Sequence, residues 1–280
     1  MVLLTNSFDG VTPSGTAVTA GNSGGASGNA FDTVTTGAGA AVTSDSAQAH
    51  SGGLSAHFTT GGTAAQTTVA WGTSAGTNTQ VWFRLYLYVT ANPALKQQIG
   101  GWTITGGSGF AGSLNLNANG TLRYEDSAFA TVTGTTTTNS IATNQWVRLE
   151  GFVLGSATVG QYELKLFNST DSAVPTETVT STALQNSGGP ITGMLFGATP
   201  NTANVNYWQD DIGLSSTGYL GPSQIPVSAA QWRQHAGRRK GRRFGAPRSQ
   251  QQASFVTATA QVLPVIQVSP PEAVQHGATW

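Results

Sequence analysis

The stretch Val81-Trp82-Phe83-Arg84-Leu85-Tyr86-Leu87-Tyr88-Val89 decides the fold class. Val81, Phe83, Leu85, Leu87 and Val89 fall on one face of an extended chain, and Trp82, Arg84, Tyr86 and Tyr88 on the other. That period of two belongs to a β-strand, and the β-branched and aromatic residues that fill it favour the same state. The aliphatic face predicts a core. The second face, aromatic with one arginine, predicts the concave or partly covered side of a sheet.

Further strands follow on both sides. Leu54-Ser55-Ala56-His57-Phe58 alternates apolar and polar residues, and Gln66 to Trp71 reads as its partner. Leu114-Asn115-Leu116, Asn119-Gly120 and Leu122-Arg123-Tyr124 read as a hairpin, because Asn-Gly tolerates the positive φ angles of a type I′ turn. Gln145 to Val153, Gln161 to Phe167 and Val205 to Leu214 supply three more strands. Residues 11–48, rich in Gly, Ala, Ser and Thr, are predicted to be long loops with a short strand near Ala41-Val42. About ten short strands without an amphipathic helix predict an all-β, two-sheet antiparallel sandwich.

Composition narrows the function classes. Only 9% of the residues are charged while 38% are hydrophobic, which excludes a disordered chain. With no cysteine, neither a disulfide framework nor a thiolate metal site is possible. No run of apolar residues is long enough for a membrane-spanning helix. The opening Met1 to Phe8 reads as a first strand and not as a signal peptide, so a product made in the cytoplasm is expected. Charge divides the chain in two. Residues 1–222 carry five Lys and Arg against eleven Asp and Glu, a net of −6; residues 223–280 carry seven against one, a net of +6. Such asymmetry marks a tail with its own partner.

Several segments resemble the concanavalin A-like, or laminin-G-like, jelly roll, in the form found in actinobacterial phage virion proteins. Asn6-Ser7-Phe8-Asp9-Gly10 is similar to the family's first strand. Ala49 to Phe58, led by Gly52-Gly53, is similar to its Gly-led strand. Val81 to Val89 resembles the long central strand, and Gln145-Trp146-Val147-Arg148-Leu149-Glu150 the strand with Trp-x-Arg-x-Glu. Trp208-Gln209-Asp210-Asp211-Ile212 through Gly218-Tyr219-Leu220-Gly221-Pro222 resembles the closing strand. The resemblance covers residues 1–222 and implies a jelly-roll domain there, with residues 223–280 as an extended C-terminal arm. It also implies a habit of binding glycans or proteins, without fixing an activity.

Catalysis is not expected. Glycoside hydrolases of this fold carry paired carboxylates in a Glu-x-Asp-x-x-Glu run that is missing here. Glu125-Asp126 and Asp210-Asp211 are adjacent, so on a regular strand their side chains diverge. The Gln-Ile-His strand of lyases of this fold is represented by Gln98-Ile99 followed by Gly100. No cofactor is expected and no metal either; Asp9, Asp210 and Asp211 are weak Ca²⁺ candidates, better read as turn caps or partners of Arg84 and Arg148. Trp102, Tyr124 and Trp208 are the candidates for stacking against a sugar. In the arm, Arg233, Arg238, Arg239, Lys240, Arg242, Arg243 and Arg248 form a basic stretch, and Phe255, Val262, Leu263 and Ile266 belong to an apolar one. These are expected to dock on other proteins in preference to nucleic acid. The leading expectation is a non-enzymatic virion protein, a capsid decoration or minor tail protein, with its jelly roll outward and its arm on other virion subunits. The alternative is a lectin for host surface glycans, and a polysaccharide-degrading enzyme comes third.

Overall fold

In the order of the chain the strands are β1 (Leu3–Asn6), β2 (Thr33–Thr36), β3 (Ala40–Asp45), β4 (Ser55–Thr60), β5 (Thr67–Trp71), β6 (Gln80–Tyr88), β7 (Gln97–Ile104), β8 (Gly109–Leu116), β9 (Leu122–Asp126), β10 (Trp146–Leu154), β11 (Gly160–Phe167), β12 (Glu177–Leu184), β13 (Ile191–Ala198) and β14 (Asn206–Ser215). The structure, a computed structural model, describes residues 1–61, 65–104, 109–184, 189–199 and 204–223. Its only helix among these is the 3₁₀ turn Thr73–Ala75.

The strands form two antiparallel sheets. In sheet A the order is β12-β11-β10-β6-β14-β4-β3, with β1 also on β14; in sheet B it is β2-β5-β13-β7-β8-β9. The expected all-β sandwich is thus present. Val81, Phe83, Leu85, Leu87 and Val89 of the central strand all lie in the core, as their alternation requires. Across from them sheet B contributes Val69, Trp71, Ile99, Trp102, Leu114, Tyr124 and Phe196. Burying side chains of this size stabilises the fold by roughly 1.5–3 kcal/mol each before entropy is charged against it.

The sequence reading differs from the structure in three places. Residues 33–36 are a strand and not part of a loop, while the first strand ends at Asn6. The Asn-Gly hairpin does not close with a type I′ turn. The Gly120 N–H donates to the Asn117 carbonyl at 2.9 Å and only Gly120 takes a positive φ, of 82°. A type I turn followed by a left-handed glycine does the same job with a slightly longer loop. Strands β7, β12 and β13 also lie outside the predicted set.

Gly151 faces Phe83 across the β10–β6 pair. A Cβ there would be driven into the Phe83 ring and onto the Tyr124 hydroxyl. The bare backbone lets Tyr124 of sheet B reach over and donate to the Glu163 carbonyl at 2.8 Å. Gly151→Ala is therefore expected to destabilise the domain by about 1–3 kcal/mol, as overpacking does. A urea unfolding midpoint unchanged from wild type would contradict this packing.

Candidate functional site

The outer face of sheet A is a charged layer with aromatic borders. Arg84, Tyr86, Arg148 and Glu150 project from β6 and β10, and all four are buried. Arg148 Nε lies 3.0 Å from Glu150 Oε1. The Arg148 guanidinium also donates to the carbonyls of Thr170 and Ser172, and stacks over the Phe167 ring at 3.8 Å. Arg84 donates to the carbonyls of Asp211 and Gly221 at 3.0 and 2.9 Å. Chain segments around residues 50, 171 and 221 thus roof this face, which fits the partly covered side expected from the sequence. Burial raises the Glu150 carboxyl from its usual range, and the Arg148 and Arg84 charges draw it part of the way back.

Strand β14 breaks its register between Asp210 and Gly213, and Asp211 takes a left-handed φ of 43°. The reason is visible in the pairing. Residues 206–209 of β14 pair with β4 and residues 212–215 with β1, so one edge changes partner at the bulge. The two carboxylates do not diverge as on a regular strand; the bulge turns both toward residues 50 and 51. Asp210 Oδ2 accepts from the backbone N–H groups of His50 and Ser51 at 2.9 and 3.2 Å. Asp211 accepts from His50 Nδ1 at 2.8 Å and from the hydroxyls of Ser51 and Ser223, both at 2.9 Å. Burial, then the Asp211 charge, push Asp210 well above the usual carboxylate range against the pull of its backbone donors. Burial pushes Asp211 up as well, but the bonds from His50, Ser51 and Ser223 outweigh it and hold Asp211 low.

Asp9 lies beside the same cavity of about 890 Å³ as Asp211, but its oxygens serve the Ser7 hydroxyl and the N–H groups of Gly53 and Leu54. Hydrogen bonds occupy all three candidate Ca²⁺ ligands. Among the described residues no group of three or more His, Asp or Glu is placed to hold a metal ion. Arg84 and Arg148 form no salt bridge with these carboxylates among the described residues; of the three aspartates Arg84 reaches Asp211, at its backbone carbonyl.

The outer face of sheet B is built differently. The register sets Gln98, Asn115 and Arg123 side by side across β7, β8 and β9, and Gly101, Ser113 and Glu125 in the next row. Glu125 is fully buried; Lys96 Nζ lies 2.8 Å from both of its oxygens, and Arg123 also binds it. Gln98 Oε1 accepts from Thr199 at 2.6 Å, whereas Gln98 Nε2 and Arg123 Nε are buried without a partner. A Cβ at Gly101 would come within 3.1 Å of Gln98 Nε2 and 3.3 Å of the Phe110 ring. The missing side chain lets both groups lean over that strand. Phe110 stacks on Phe129 at 5.2 Å, and Phe129 is 41% exposed. Two buried donors without a partner, a carboxylate held by two cations and a ring pair of which Phe129 is exposed therefore share one face.

Position on that face depends on the other sheet. Strand β7 bulges between Gln98 and Gly100. The carbonyls freed there accept from β14 through the core: Tyr207 Oη donates to Gln98 at 2.8 Å, and Gln209 Nε2 to Ile99 at 2.7 Å.

Of the three stacking candidates, Trp102 and Tyr124 are fully buried in the core, edge-on to one another at 5.5 Å, and offer no face to a ligand. Their apolar area is used between the sheets. Trp208 lies on the outer face of sheet A, 8% exposed, with His57 stacked on it at 4.1 Å. The arm residues Arg233, Arg238, Arg239, Lys240, Arg242, Arg243, Arg248, Phe255, Val262, Leu263 and Ile266 lie outside the described residues. The sequence reading takes Gln98 as a lyase remnant, Glu125 as a carboxylate adjacent to Asp126, and Asn115 and Arg123 as hairpin residues, without bringing the four together. Their alternation with Leu114, Leu116, Leu122 and Tyr124 in the hairpin was the signal that places them together.

No protein-family model and no curated protein sequence matches the chain. Solved structures do resemble it. The cellulose induced protein Cip1 is 23% identical over 64% of this chain and 87% of its own, with a TM-score of 0.45. A Shewanella oneidensis MR-1 protein of unknown function is 18% identical over 77% and 88%, with a TM-score of 0.39. Trypanosoma rangeli sialidase, solved with 2,3-difluorosialic acid, is 9% identical over 62% of this chain, with a TM-score of 0.38, and the match spans only 27% of the sialidase. The expectation of a non-enzymatic chain is corrected: sialidases are among the solved structures that resemble it, and a missing Glu-x-Asp-x-x-Glu run removes only one arrangement of carboxylates.

Because the folded value of Asp211 lies below its unfolded one, its contribution to stability is present above the ordinary carboxylate range. It is lost as pH falls through the folded value. Asp211→Asn is expected to lower the melting temperature at neutral pH and to flatten its fall on acidification. Parallel acid limbs for variant and wild type would contradict the assignment.

Proposed function

We propose that the sandwich is a carbohydrate-binding module whose ligand lies on the outer face of sheet B, over Gln98, Asn115, Arg123 and Glu125. One observation carries this reading: Gln98 Nε2 and Arg123 Nε are buried donors without partners, beside an exposed phenyl pair. A buried donor left unsatisfied costs about 1–3 kcal/mol, which an acceptor brought by a ligand would recover once these side chains turn toward it. A sugar supplies hydroxyl and ring oxygens for these donors and C–H faces for Phe110 and Phe129, while the buried Glu125 holds Lys96 and Arg123 in place. Lys96 and Arg123 at the rim favour glycans that carry carboxylate or phosphate groups.

The charge division of the chain and the likeness of residues 1–222 to phage virion proteins support a place for the module on a virion. Residues 223–280 then fasten it to other virion subunits, with the basic stretch steering toward an acidic patch and the apolar stretch adding contact area. Fully extended, that arm spans at most about 190 Å.

A glycan array followed by calorimetry on the best hit tests the site. Gln98→Ala, and Arg123→Lys, which keeps a cation beside the buried Glu125 but loses the guanidinium fork, are each expected to weaken binding at least tenfold with the melting temperature little changed; undiminished affinity in both overturns it. Removing residues 223–280 is expected to abolish incorporation into particles and leave glycan binding intact, and normal incorporation removes the arm's role.

A further inference from the structure

Two turns at the ends of β9 share one backbone form and differ in the residue at the same place. In the turn that joins β8 to β9, the Gly120 N–H donates to the Asn117 carbonyl at 2.9 Å and the Asn117 N–H to the Thr121 carbonyl at 2.8 Å. In the turn that follows β9, the Phe129 N–H donates to the Asp126 carbonyl and the Asp126 N–H to the Ala130 carbonyl, both at 3.0 Å. Each is a type I turn followed by one left-handed residue, Gly120 at a φ of 82° and Phe129 at a φ of 62°. Glycine takes that conformation freely, whereas a bulky side chain there is strained. At Phe129 the chain carries the strain and gains a ring.

That ring stacks on Phe110 of β8 at 5.2 Å, inclined by 23°, and is 41% exposed. Phe110 in turn leans over Gly101 of β7. Its ring lies 3.3 Å from the place a Cβ on Gly101 would take, and Gln98 Nε2 lies 3.1 Å from the same place. The unpartnered Gln98 donor is thus packed beside Phe110 and buried. A ligand reaches that nitrogen only after its cover moves. The base of the turn is firmly tied: Asp126 Oδ1 accepts from the N–H groups of Ala128 and Ala130 at 2.9 and 3.0 Å, and Glu125 bridges to Thr131. The part free to move is Phe129 itself.

We propose that Phe129 is the gate of the sheet B site. In the free protein it holds Phe110 over Gln98, and its release from the left-handed conformation opens that donor to a ligand. The inference rests on the reading of this face as a sugar site and adds how the site opens. Strain at one residue brings the closed and open forms close in free energy, because leaving the turn conformation relieves strain and offsets the lost ring stacking. Affinity is then scaled by the open fraction, so a ligand that binds the open form draws the population toward it. When the gate is closed, the ring pair keeps water from the donor; once Phe129 has turned, both rings offer their faces to the ligand.

Exchange of the Gln98 side-chain N–H protons with water, read by nuclear magnetic resonance on the full chain without ligand, tests the gate. Phe129→Gly and Phe129→Asn place residues suited to the left-handed turn and remove the ring. Each is expected to speed Gln98 exchange at least tenfold over wild type. The Trp102 indole N–H, a buried unpartnered donor in the core, is expected to stay unchanged. Phe129→Tyr, which keeps the ring stack, is expected to exchange like wild type. Unchanged Gln98 exchange in both ringless variants overturns the proposal. A rise shared by Trp102 also overturns it, because it marks a loosened core in place of a gate. A glycan array run on the same proteins separates the gate from the sugar site. Faster Gln98 exchange in the ringless variants, with no glycan bound by wild type, supports the gate and removes the sugar reading of this face. Glycan binding by wild type, with Gln98 exchange unmoved in the variants, keeps the sugar site and removes the gate.

Discussion

Two side chains crossing the core hold the architecture and the candidate site in the same register. Tyr207 and Gln209 of β14 donate to the carbonyls that the bulge in β7 leaves free. Without them two backbone acceptors would be buried unpaired between the sheets, a loss of about 1–3 kcal/mol each. With them, sheet A fixes how β7 kinks, and the kink sets which way Gln98 faces. A bond inside the core thus governs a donor on the surface of the other sheet.

The same strand organises the opposite face. The bulge at Asp210 and Asp211 lets β14 exchange β4 for β1 along one edge, and its carboxylates bind residues 50 and 51 as well as Ser223. Bulges bend a strand and aim side chains that a regular ladder would send elsewhere. Here one bulge on each sheet does so, and both depend on β14. Ser223 is thereby tied to sheet A, its hydroxyl donating to Asp211 and its N–H to the Tyr86 hydroxyl.

Much of this was legible in the sequence. The alternation of Val81 to Val89 gave the core face and the partly covered face correctly, because a long strand with aliphatic residues on one side has one stable placement. Strands β7 and β13 were obscured because Gly100-Gly101 and Gly193 with Gly197 interrupt their alternation, and β12, Glu177 to Leu184, because threonine and serine leave little hydrophobic contrast. Trp102 and Tyr124 were misplaced for a general reason: an aromatic side chain announces area but not the face of the sheet it will occupy. The site on sheet B was hidden because Gln98, Asn115, Arg123 and Glu125 come from three strands and meet only through pairing. The bulges have no sequence signature of their own, although two adjacent aspartates inside an apolar strand mark a place where regular pairing is costly.

The central claim is that buried donors on sheet B are kept open for a sugar. Side-chain N–H resonances of Gln98 and Arg123, followed by nuclear magnetic resonance during titration with the strongest glycan, address it directly. The account predicts that both shift with saturation and become slower to exchange with water, while the Trp102 indole N–H in the core stays where it was. Saturable binding with the Gln98 and Arg123 signals unmoved would contradict it.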